Sequence, residues 1–237
     1  MNILKNFLIF AILCLLLSSC NFFIRLRYMN KKIDEKGHTN CYIFPKQDTS
    51  KLKSYKNSYV RTFDLKKNDT VVSIGVGSGW REFLFSIFTD GLTFYMEDID
   101  TSCITKEKIK NIYLPHYSDM RGCKLTNNFI PVVGTDTTVD LKNNSANKVL
   151  IVNVYHHFSN DISMVKECKR ILKTNGNLMI GEFIMRKNKH SHRFCKVVGG
   201  NYKSENNFVK DIVDIGFKCD TIYRQGKHYR IFIFTKK

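Results

Sequence analysis

The sequence lacks the short spacings that define several functional classes. None of its eight cysteines forms a C-x-x-C pair, so neither a zinc knuckle nor a dithiol redox motif is offered. There is no internal repeat and no low-complexity tract. The 237 residues, 43% of them hydrophobic, suffice for one α/β domain with a full core and leave no room for a second catalytic domain. The net charge is +17, yet no motif of a nucleic-acid-binding module accompanies it. The lysines are scattered beside many asparagines, and attraction to an anionic membrane surface is the simpler consequence. The longest apolar run, Phe7–Leu17, is too short to span a bilayer comfortably.

What is present is VVSIGVGSGW, Val71–Trp80, a β-branched run that breaks into Gly75, Gly77 and Gly79. A phosphate-cradling loop would need Lys and then Ser or Thr after its last glycine, but Trp80 and Arg81 follow. The dinucleotide fingerprint wants its third glycine at position 80, which is Trp80, so nicotinamide and flavin cofactors are disfavoured. An ordinary strand-to-helix turn with glycines at positive φ accounts for the pattern equally well on its own. The context goes further. Gly91 closes a first helix, LTFYM reads as a second strand, and that strand runs into Glu97, Asp98, Ile99 and Asp100. Asp98 stands where an acid accepts from ribose hydroxyls in such folds, about 20 residues beyond the glycines. A helix over Thr101–Ile112 and a loop holding Pro115 and Pro131 are expected next. The strand FIPVVG follows, ending at Gly134, Thr135 and Asp136.

Beyond it, KVLIVNVYHHFSNDISMVKECKRILKTNGNLMIGEFI reads as a buried strand (Val149–Val154), a cap at Ser159 or Asn160, and a helix with Ile162, Val165, Ile171 and Leu172 on one face. Gly176 is expected to stop that helix before a fifth strand. The chain closes with a helix from the Ser204 cap to Gly216, a strand near Cys219–Arg224, and the strand HYRIFIFT. Gln225-Gly226-Lys227 link the last two, which must therefore be antiparallel.

From about Leu65 onward the chain resembles the type-11 methyltransferases that use S-adenosyl-L-methionine, on its G-x-G-x-G turn, its His-His-Phe after strand four, and its Arg-Ile-Leu-Lys helix end with an Asn-Gly turn. The resemblance implies a Rossmann-like three-layer α/β sandwich whose seven-stranded sheet is mostly parallel with an antiparallel last strand. It implies a cofactor site at Ser73, Gly75, Gly77, Gly79, Asp98, Asp136 and Asn153, with Asp136 on the adenine amino group. It also implies an unidentified methyl acceptor, with His157 able to take a proton from it. His156 is expected to point to the other side of the strand, so that the His pair makes no metal site. One position departs from the family: the acid it places two residues before the first glycine, beside the methionyl end of the cofactor, is here Ser73.

The amino-terminal apolar run ends in Leu17-Ser18-Ser19-Cys20, which looks like a bacterial lipoprotein signal with Cys20 as the lipidated residue. The expected organisation is a signal over 1–19, a tether over 20–46 and the methyltransferase-like domain over 47–237, held at the cell envelope by its lipid. A signal anchor continuing through Phe22, Phe23 and Ile24 is the alternative. The basic residues Arg25, Arg27, Lys31 and Lys32 would then keep the domain cytoplasmic. Most of the remaining cysteines are expected in the core, and the basic stretch Met185–Lys196 is expected to be a solvated loop or a cover for an anionic substrate. Besides catalysis, two other functions fit: a scaffold that keeps the fold without the chemistry, and a dehydrogenase-like nucleotide binder.

Overall fold

Seven strands, β1 (Thr70–Ile74), β2 (Thr93–Asp98), β3 (Asn128–Val133), β4 (Ala146–Val152), β5 (Leu172–Phe183), β6 (Phe217–Gln225) and β7 (Tyr229–Lys236), pair in the order β3-β2-β1-β4-β5-β7-β6. They belong to a computed structural model that describes residues 41–185 and 202–237. Strand β7 lies antiparallel between β5 and β6, and the other pairings are parallel. This is the Rossmann-like mostly parallel sheet with a reversed last strand that the sequence predicts. Cys20, the signal segment, the tether up to residue 40 and the basic residues from Arg186 to Lys196 lie outside the described residues.

Helices cover both faces. On one side, α1 (Thr49–Tyr55), α2 (Trp80–Phe88) and α3 (Leu114–Arg121) pack over Phe94, Met96 and Ile231. On the other, α4 (Asp161–Ile171) and α5 (Glu205–Asp214) bury Val165, Ile171, Phe208 and Ile212 against Val149, Ile180 and Phe232. No described helix is long and apolar enough to cross a membrane. Local chemistry sets the ends. The Asn160 side chain accepts from the Ser163 amide to start α4, and Ser204 accepts from Asn207 to start α5.

Three local expectations are corrected. Pro115 lies inside a helical stretch, not in a loop: a π turn over Ile109–Tyr113 precedes it, and such widened turns absorb a proline ring. The helix α4 ends at Ile171 and β5 starts at once at Leu172, with the register of β4 against β5 shifting between Ala146 and Lys148. Asn175 takes the left-handed turn there at φ 61°, and Gly176 leaves room for the Lys173 carbonyl. Finally, Cys41–Lys46 belong to the packed unit. Cys41 is disulfide-bonded to Cys103, Phe44 is buried, and its amide donates to the Tyr117 hydroxyl at 3.1 Å.

Candidate active site

The sheet order reverses between β1 and β4, and ligands of open α/β sheets bind at the carboxyl ends of strands beside such a switch. There the chain leaves β1 through Gly75, Gly77 and Gly79, all at positive φ (63°, 57° and 68°). Gly79 caps α2, whose apolar Phe83, Leu84 and Phe85 anchor the turn to the core. At Gly75 a Cβ would fall 2.5 Å from a methyl of Val154, so this turn tolerates nothing larger.

Three buried carboxyls surround the turn. Asp98 accepts from the Gly77 amide at 2.7 Å and from the Asp100 amide at 3.0 Å. Glu97 accepts from the Gly75 amide at 3.1 Å. Its other oxygen occupies the space where Gly134 has no side chain. Glu82, on the first turn of α2, accepts from the Ser73 hydroxyl at 2.6 Å. Ser73 thus does not point alone into the position where the family has an acid; it carries the carboxylate of Glu82 behind it. Burial raises the pKa of all three acids, that of Glu97 to about 7, with the Asp98 charge adding to the effect. None of the three forms an ion pair among the described residues. Within a chain of net charge +17, these acids gather at the turn without a salt bridge, and Arg81 is the cation whose charge reaches Glu82.

Neighbouring groups add polar and apolar surface. Asn153, just past β4, is held at φ 59°, and its side-chain oxygen is buried with no hydrogen-bond partner among the described residues. Ile99 and Val133, next to the acids at the ends of β2 and β3, are large apolar side chains left 69% and 64% exposed. Asp136 lies in the exposed loop after β3, where it accepts from the Ser159 hydroxyl at 2.8 Å.

The His pair is not on a strand. Tyr155–His157 form a 3₁₀ turn, so the two rings lie side by side with centroids 4.2 Å apart, which corrects the expectation that they point apart. His156 is buried, its Nδ1 2.8 Å from Glu182 and its ring stacked on Tyr202. His157 is the exposed one. Partial burial and the adjacent His156 lower its pKa, so it is largely neutral at pH 7.

Sequence reasoning did not single out Glu82 or Glu182. An acid in the first turn of a helix reads as a complement to the helix dipole, and nothing in the spacing says that Glu82 turns inward to Ser73.

Residues 72–180 match the family model described as "Methyltransferase domain". The match spans less than half of the chain, and the sheet has the class I methyltransferase fold. S-adenosylmethionine is the cofactor that this match and this fold support. A SAM-dependent methyltransferase from Aquifex aeolicus aligns at 18% identity and TM-score 0.54, over 79% of this chain and 98% of the other. One from Methanosarcina mazei aligns at 14% and 0.54, over 75% and 97%. The cyclase SpnF aligns at 12% and 0.57, over 79% and 80%, so the fold alone does not fix the reaction. No curated protein matches the chain. The residues at the turn fit S-adenosylmethionine, which is positively charged at sulfonium and ammonium: among the described residues they offer three buried carboxyls without a salt bridge, an amide oxygen without a hydrogen-bond partner, and exposed apolar side chains.

Proposed function

We propose that this chain is a membrane-tethered S-adenosylmethionine-dependent methyltransferase acting on an acceptor yet to be identified. The observation that carries the reading is the cluster of three buried carboxyls at the glycine turn, none of them in a salt bridge among the described residues. Asp98 would take the ribose hydroxyls, Asp136 the adenine amino group, Ile99 and Val133 the faces of the base, and Glu82 with Ser73 the methionyl ammonium. Asn153 would accept from the same end. The cofactor supplies a methyl group already activated by its sulfonium, so the task left to the chain is alignment and exclusion of water. Neutral His157, at the mouth beside β4, can accept a proton from an acceptor that must lose one. A scaffold role is favoured by the serine at position 73 and by the expected export signal.

Calorimetry tests this reading. S-adenosylmethionine and its demethylated product should bind and NAD should not. Asp98→Ala should weaken cofactor binding by about 1.5–3 kcal/mol, the worth of hydrogen bonds to a charged group. If the variant binds as tightly as the parent, Asp98 is not the ribose acid. Cofactor binding without transfer to any acceptor would favour the scaffold.

Export with Cys20 lipidated, at the bacterial cell envelope, is supported by the Cys41–Cys103 bond, because such bonds persist in oxidising compartments. Cys20→Ser should leave an uncleaved precursor that takes up no labelled fatty acid; equal labelling of variant and parent would remove the lipoprotein reading.

A further inference from the structure

The edge of the sheet opposite the glycine turn is where α4 and α5 end and β7 finishes. A cavity of about 470 Å³ opens there, lined by Lys166, Lys169, Arg170, Asp214, Ile215 and Lys236. Lys169 donates to the Ile215 carbonyl at 2.8 Å, and Lys236 to the Leu172 carbonyl and, at 2.8 Å, to Asn144. Both lysines therefore cap helix ends, and that alone would explain their positions. The charges do not balance, however. Arg170 is neutralised by Glu167 at 2.6 Å, and Asp214 by Lys210 at 2.5 Å. Lys166, Lys169 and Lys236 have no acid within ion-pair distance among the described residues. Two helix ends supply only about half a negative charge each, so the cleft keeps roughly +2. Desolvation and the nearby Lys169 charge depress the pKa of Lys236, as expected where ammonium groups crowd without a counterion.

We propose that this cleft binds a doubly charged phosphate group, carried by a soluble phosphomonoester or by a phosphomonoester lipid headgroup. Charge selects the dianion, which a phosphomonoester becomes above its second pKa of about 6. Donor geometry selects it as well. The guanidinium of Arg170 is already taken by Glu167 and by the Leu141 and Val139 carbonyls. No fork is left for a flat carboxylate, whereas Lys166 makes no hydrogen bond among the described residues and Lys169 and Lys236 each keep at least one ammonium donor beyond those already used, enough to surround a tetrahedral anion. The site is independent of the methyltransferase reading, since it lies at the other end of the strands.

The full chain titrated with inorganic phosphate should show saturable shifts in the amide resonances of Leu172, Ile215 and Gly216 that chloride at equal ionic strength does not produce. Lys166→Glu, at an exposed side chain that makes no hydrogen bond among the described residues, should weaken the phosphate response about tenfold. Lys110→Glu, the same reversal on an exposed lysine of the opposite helical layer, should not. Equal weakening by both variants, or no saturable shift, would overturn the proposal. Flotation of the parent with phosphatidylcholine vesicles containing phosphatidic acid, lost in Lys166→Glu, assigns the lipid source. Saturable phosphate binding with flotation unaltered by the variant assigns the soluble ester.

Discussion

Reduction of the Cys41–Cys103 disulfide is expected to destabilise the protein by about 4 kcal/mol, the chain-entropy value for a loop of this length. The bond joins residues 62 apart in sequence, so breaking it returns a large loop to the unfolded ensemble. The damage is local as well. Tyr42 and Phe44 pack on Trp80 with ring centroids 5.5 and 5.9 Å away, and Trp80 opens α2 directly after the last glycine of the turn. At its other end Cys103 closes the short 3₁₀ turn capped by Asp100, two residues beyond Asp98. The bond therefore ties a strap of aromatic residues to the loop that follows Asp98. Urea denaturation with and without a dithiol, repeated on Cys41→Ser with Cys103→Ser, checks this. The double variant should match the reduced parent, and a midpoint unmoved by reduction would contradict the expectation.

Glu97 gives the second large effect. Its carboxyl titrates near pH 7 in the folded protein and near 4.3 in an unfolded chain. Between these values the folded state holds a proton that the unfolded state has released, so stability must fall as pH rises. The full loss, about 4 kcal/mol, is reached as the pH passes above 7. Glu97→Gln keeps the shape and removes the titration. Relative to the parent, the variant should gain roughly 2–3 kcal/mol between pH 5 and pH 8 by denaturant titration. A constant difference across that range would mean that the Gly75 amide already stabilises the ionised form enough to offset burial.

Most features legible in the sequence were those set within a few residues of chain. The glycine turn, the caps at Asn160 and Ser204, and the hairpin through Gly226 each follow from side-chain or φ requirements of the residues that form them. Strand order followed from the short link between β6 and β7 together with the family likeness. What the sequence concealed lies across space. Glu82 reaches Ser73 from a different element, Glu97 depends on the missing side chain of Gly134, and Cys41 finds Cys103 over the whole first βαβ unit. The His pair was misread because period-two alternation was extended past Val152, where β4 has already given way to a 3₁₀ turn.

The place of β7 in the sheet has a consequence for the order in which the chain can fold. The strand made last is inserted between β5 and β6, and β6 pairs with β7 alone. Until Tyr229–Lys236 arrive, β6 has no partner and β5 keeps an open edge along Asn177–Phe183. An unpaired edge of that length is an invitation to pair with other chains, and closing it demands contacts between residues far apart in sequence, which slows folding. The sheet thus stays incomplete until Tyr229–Lys236 have been made.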